Sequence, residues 1–213
     1  MKHRIIKSAT AAACLLGASW ANAAIVFQDN FDSNILVDLG AGDLGWNQTP
    51  TGWTETAGGT VDIIGAGTAN DLVPGNGYYI DLDGTSNKAG TIVTNTSFNF
   101  LAGITYTLSF SLAGNIRNVL STDVAPGFDT VVAKVGSNTL STNVWWQQPF
   151  AVYSLTFTPG ANFSSGLSFQ AFGADNQGPL LDNVVLSAVP VPAAVWLMGS
   201  ALLGLVAVGR RRA

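Results

Sequence analysis

The side chains that most often do covalent chemistry are scarce in this chain, and their positions decide which reactions are open to it. Its one histidine, His3, and its one cysteine, Cys14, both lie within residues 1–23. That segment has a basic start (Lys2, Arg4, Lys7), an apolar stretch from Ala9 to Trp20 and the small-residue triplet Ala21-Asn22-Ala23. These are the three parts of a secretion signal, with cleavage expected after Ala23. The exported remainder then carries no imidazole and no thiol. A Ser-His-Asp triad, a Cys-His pair and a His-ligated zinc site are excluded, and no disulfide can form in an oxidising compartment.

Carboxylates are what remain. All thirteen acidic residues fall between Ala24 and Ala188, against the three basic residues Lys88, Arg117 and Lys134, so this region has a formal charge of 3 minus 13, or −10. Nucleic acid and anionic lipid are poor partners for such a domain. Glycoside cleavage needs two carboxyl groups in opposed environments, for which Glu55, Asp62, Asp81 and Asp83 are the candidates. Asp81 and Asp83, two apart on a strand, would share a face at about 7 Å, although Asp83-Gly84 also reads as a turn. A structural calcium is the cofactor this composition could hold, through Asp29, Asp32 and Asp182, if the first and last strands meet; the same residues also fit plain strand ends. Aromatic rings on a surface stack on the apolar faces of sugar rings. Trp53 and Trp46 sit among Gly, Asn and Thr, and Trp145-Trp146 stands beside Gln147-Gln148. Neighbouring residues on a strand point opposite ways, so at most one of Trp145 and Trp146 belongs in a core. Tyr79, and Asp81 in phase with it, are further ligand candidates.

The elements that must position these residues are strands. Ile104, Tyr106, Leu108, Phe110 and Leu112 alternate with Thr105, Thr107, Ser109 and Ser111; Tyr153 to Thr158 and Leu167 to Ala171 repeat the pattern. Tyr78–Leu82, Thr91–Phe100, Thr130–Val135 and Leu181–Leu186 also read as strands, with turns at Asp83-Gly84, Ala102-Gly103, Gly136-Ser137-Asn138 and Pro159-Gly160. No capped helical period is visible between Ala24 and Ala188. The expected fold is all-β, an antiparallel two-sheet sandwich, flanked by an N-terminal signal helix and a C-terminal transmembrane helix.

The end of the chain supplies the second flank. Val189-Pro190-Val191-Pro192-Ala193 leads into an apolar stretch ending at Val208, followed by Arg210, Arg211 and Arg212. Ala193 to Val208 as a helix would span roughly 24 Å, a little short of a hydrocarbon core of about 30 Å. The arginines would stay cytoplasmic and leave the rest outside. This tail resembles the PEP-CTERM sorting signal of Gram-negative bacteria, in its Val-Pro-Leu-Pro-Ala variant, with Val191 in place of Leu. The resemblance implies processing by an exosortase near Pro190, Pro192 and Ala193, after signal peptidase has acted at Ala23; a permanent anchor is the alternative.

A second resemblance covers most of the middle region. Asn30-Phe31-Asp32, Gly52-Trp53, Val61-Asp62-Ile63, Tyr79-Ile80-Asp81-Leu82-Asp83-Gly84, Ala113-Gly114-Asn115 and Gly178-Pro179-Leu180-Leu181-Asp182-Asn183-Val184 occur in that order. The series is similar to galactose-binding-like jelly rolls, in particular a plant cell-wall family of unknown function. It implies a jelly roll and a polysaccharide partner, and carries no catalytic residues across. Three domains follow: residues 1–23, a signal; 24–188, the sandwich; 189–213, the sorting tail. Three functions fit the exported domain: non-catalytic binding of exopolysaccharide at the cell surface or in the extracellular matrix, a structural or adhesive role without a specific ligand, and glycan cleavage.

Overall fold

Alternation of apolar and hydroxyl side chains drives one face of each strand inward, and two such faces closed on each other make the body of the protein. In the computed structural model, residues 23–36, 45–68, 70–86, 88–117, 127–173 and 175–189 are described. The expected signal helix and transmembrane helix, with Pro190, Pro192, Ala193 and the three arginines, lie outside the described residues. Ala23, exposed, is the first described residue. Among the described residues no helix is long and apolar enough to cross a membrane.

Numbered in chain order, one sheet runs β12 (Ala151–Phe157), β9 (Thr105–Ala113), β15 (Leu180–Val189), β4 (Tyr78–Asp81) and β3 (Asp62–Gly65), with β1 (Ala24–Asp29) on the far half of β15. The other runs β11 (Asn138–Trp145), β10 (Phe128–Val135), β14 (Leu167–Phe172), β7 (Thr91–Thr94) and β2 (Trp53–Thr56). All of these pairings are antiparallel. Two small ribbons, β8 (Phe98–Phe100) with β13 (Phe163–Ser165) and β5 (Asp83–Gly84) with β6 (Lys88–Ala89), complete a jelly-roll sandwich. The all-β class and the two-sheet architecture are those expected from the alternation.

Three details differ from expectation. The stretch Thr91–Phe100 is two strands, β7 and β8, interrupted at Asn95–Thr96–Ser97. Asp83-Gly84 is not a free turn but the strand β5. Strand β11, absent from the periodic signal, pairs with all of β10 through the tight turn Gly136-Ser137, where Gly136 has a φ of 59° that favours glycine.

The core lies between the sheets: Leu108, Phe110 and Leu112 of β9, Val131, Ala133 and Val135 of β10, and Phe169 of β14 are buried. A second, smaller apolar cluster sits on the outside of the six-stranded sheet, where Ile64, Tyr79, Ala113 and Leu180 are covered by Leu72, Val73 and Phe150. The long strand β15 fixes two poles. Ala188 is the partner of Ala24, so the described chain begins and ends at one pole, whereas Leu180 pairs with Ala113 at the other, eight residues or about 27 Å away.

Candidate functional site

The expected carboxylate sites are built into the frame of the protein. Asp81 is fully buried at the end of β4, where Arg117 Nη2 and Asn115 Nδ2 both donate to its Oδ2 at 2.9 Å and the Asp83 amide donates to Oδ1 at 3.1 Å. Burial drives its carboxyl well above the usual range; the Arg117 guanidinium opposes this, and the nearby charges of Asp62 and Asp83 add to it. Asp62 accepts from the amides of Asn47 and Thr85 and from the Thr85 hydroxyl. Glu55 is half-buried and accepts from the Val61 amide at 3.3 Å; burial raises its carboxyl, and Asp62 adds to the effect. Asp81 and Asp83 are both buried, which corrects the expectation that they share an accessible strand face, and none of the four proposed glycosidase carboxylates stands on an open surface opposite another.

Asp29, Asp32 and Asp182 do meet, because β1 lies along β15 with Asp29 opposite Val184. Their oxygens, however, are already taken. Asp29 accepts from the Phe31 amide and the Trp53 indole, both at 2.8 Å; Asp32 from Asn30 Nδ2 and the Tyr78 amide; Asp182 from Asn76 Nδ2 and from both nitrogens of Asn183. Burial lifts Asp182 to about 6, with Asp32 and Asp29 contributing by repulsion. Two non-glycine residues flank this corner in the left-handed region, Phe31 (φ 59°) and Asn183 (φ 51°, at a bulge of β15). A cavity of about 340 Å³ opens beside it, lined by Gln28, Asp29, Asn30, Ser33 and Asn183 to Val185. Among the described residues no group of three or more metal-ligating side chains is arranged to hold an ion.

Two of the aromatic candidates are corrected in the same way. Trp53 is 3% exposed and packs at 5.9–6.0 Å from Phe27, Phe31 and Phe169, so it belongs to the core. Tyr79 is fully buried; its hydroxyl accepts from the amides of Leu72 and Val73, and burial pushes it up to about 12. Asp81, enclosed as described, cannot reach a ligand either. Trp46 is half-buried, and its indole nitrogen is enclosed without a hydrogen-bond partner.

Trp145 is different. At 45% exposure it ends β11 on the outward side, directly opposite Phe128 of β10, itself 39% exposed. Phe172 of β14, 43% exposed, lies opposite Thr130, one step along the same outer face. Three aromatic rings on three adjacent strands thus rim one end of the five-stranded sheet, around the pair in which Thr130 donates to Asn143 at 2.8 Å. Trp146 stands in the following turn, half-buried and edge-on to Trp145 at 6.1 Å. Gly114 lets the chain pass behind the pair: a Cβ there would lie 2.0 Å from the Trp145 carbonyl oxygen. Gln147 is exposed, while Gln148 is tied to Tyr153 and the Leu112 carbonyl. Away from the rim the outward positions of this sheet carry Ser, Thr, Gln, Val and one Lys. Phe128 and Phe172 escaped the sequence reading, although each falls in the polar phase of an alternating strand.

The sequence matches no family model and no curated protein. Among solved structures it is similar to the CBM22-1 xylan-binding domain from Paenibacillus barcinonensis Xyn10C, at 15% identity over 79% of this chain and 97% of that one, with a TM-score of 0.42. It is also similar to the K3 cleaved adhesin domain of Lys-gingipain from Porphyromonas gingivalis, at 16% identity over 78% and 99% of the two chains and a TM-score of 0.47. A third likeness is to TmCBM61 in complex with beta-1,4-galactotriose, at 13% identity over 67% and 90% and a TM-score of 0.39. Likeness of that degree carries neither fold nor function to this chain, whose sandwich stands on its own strand pairing.

Proposed function

We propose that this is a non-catalytic carbohydrate-binding protein, exported and held at the cell surface or in the extracellular matrix, whose ligand is a polysaccharide lying on the outer face of the five-stranded sheet. The observation that carries the reading is the aromatic rim. Trp145, Phe128 and Phe172 keep large rings in water on consecutive strands, where sheet faces normally carry small polar groups, and hydroxyl and amide side chains surround them. Ring faces of this kind stack on the C–H faces of sugars, and Asn143, Thr130 and Gln170 are placed to exchange hydrogen bonds with hydroxyls. Asp81 and Asp62 are held in internal hydrogen bonds and Asp83 is buried, which favours binding over cleavage.

Destination is read from the two ends of the sequence: the signal ending at Ala23 and the PEP-CTERM-like tail with its prolines and arginines support export by signal peptidase, transient anchoring in the membrane and sorting by an exosortase. The rim lies beside Gly114, at the pole away from Ala24 and Ala188. The test is a glycan array and polysaccharide pull-down with the full-length chain in mild detergent, alongside Trp145→Ala and Phe128→Ala. Saturable binding that both folded variants lose is the expected result. A folded parent that binds no glycan would overturn it in favour of a structural or adhesive role.

A further inference from the structure

The proposed binding face differs in charge from the rest of the domain. Among the described residues no carboxylate points outward from the five-stranded sheet. Asp129 takes the inward phase of β10 and is fully buried, and Glu55 shares the inward phase of β2 with Trp53. The one charged side chain on the face is Lys134, on the central strand β10, opposite Thr139 of β11 and Ser168 of β14. The one ion pair among the described residues is Arg117 with Asp81, so Lys134 is not committed to a carboxylate. A lysine that served only to keep the sheet soluble would need no such surroundings. In a region with thirteen acids and three bases, acidic side chains are the ready solubilising choice, and among the described residues this face has none.

We infer that the polysaccharide is an acidic one of the uronic-acid type, with the aromatic rim stacking on a sugar ring and Lys134 receiving a carboxylate further along the chain. The inference rests on the carbohydrate reading above and specifies its ligand class. Phe128 and Lys134 are six residues apart on one strand, about 20 Å, which is the length of a short oligosaccharide. Thr130 and Val132 separate them on β10, with Ser141, Asn143 and Gln170 alongside, so the path between carries hydrogen-bonding groups and no repelling charge. The domain's formal charge of −10 opposes a polyanion at long range. At physiological salt that field is largely screened beyond about 8 Å, and the local sign of the face then governs which substituents are tolerated.

The test compares polygalacturonate oligosaccharides with their carboxyl-reduced, neutral counterparts of equal length, and carboxymethyl- with hydroxyethyl-cellulose, on the full-length chain at 0.15 M salt. The acidic member of each pair is expected to bind up to about five-fold tighter, the range of one exposed ion pair. Lys134→Gln abolishes that preference without weakening the neutral ligand, and Lys134→Arg retains it. Equal affinity within each pair, or a preference that survives Lys134→Gln, overturns the inference and leaves the carbohydrate reading standing. Failure of the folded parent to bind any of the four probes or any arrayed glycan removes both together.

Discussion

The outer faces of the two sheets are built from the same alternating strands, yet they have opposite fates. On the six-stranded sheet, Tyr79, Asp81 and Leu180 point outward and are then covered by Leu72, Val73, Phe150 and Arg117, which turns that surface into a second core with an ion pair whose carboxylate is buried. On the five-stranded sheet, Trp145, Phe128 and Phe172 point outward and stay there. The face with the strongly perturbed carboxylate is therefore the covered one, while the face proposed to meet a ligand holds groups of ordinary chemistry in unusual exposure. A shifted ionisation marks burial first, and marks function only where the group can also be reached.

That contrast can be broken by substitution. Asp81→Ala strips the partner from Arg117, Asn115 and the Asp83 amide inside the covered face, and should cost about 3–5 kcal/mol in urea unfolding while leaving glycan affinity of the folded fraction unchanged. Trp145→Ala should do the reverse: a loss of about 2 kcal/mol, roughly 30-fold, in polysaccharide binding by titration calorimetry, with stability altered by less than about 1 kcal/mol. If Trp145→Ala instead unfolds the protein and spares binding, the assignment of the two faces is inverted. Tyr79→Phe sharpens the comparison further. It leaves the Leu72 and Val73 amides without their acceptor, should cost about 1–2 kcal/mol of stability and should have no effect on any ligand, contrary to the part Tyr79 was expected to play.

Why the sequence showed one face better than the other follows from what periodicity records. A two-residue period separates the sides of a strand, so β9, β12 and β14 were legible, and Tyr79 and Asp81 were correctly placed in one phase. It does not record whether a loop folds back over the outward side, which is what buries Tyr79. Strand β11 escaped because its inward phase includes Asn138 and Thr142 beside Leu140 and Val144, so no apolar alternation stands out. Trp53 misled because β2 is four residues long and its Gly, Thr and Asn neighbours look like surface. An aromatic in the polar phase of an otherwise regular strand was the available signal for Phe128 and Phe172, and it marks the rim better than the density of tryptophan does.

The smallest effect concerns the corner where β1 meets β15. Burial raises Asp182 to about 6 in the folded protein, whereas the unfolded chain returns it to the ordinary aspartate value of 3.8. Between those two values the folded state holds a proton that the unfolded state has released, so this group's contribution to stability is complete below about pH 4 and is lost as the pH rises through 6. Melting temperature should therefore climb gently as the pH is lowered from 7 towards 5, as far as Asp182 governs it. Asp182→Asn, which cannot ionise, should flatten that slope while the covered face and the aromatic rim are undisturbed. Because Asn76, Asn183, Trp53 and backbone amides already occupy the oxygens of Asp182, Asp29 and Asp32, EDTA should leave the profile where it is. A chelator-induced fall in melting temperature, absent in Asp182→Asn, would instead show that an ion takes the place of the proton.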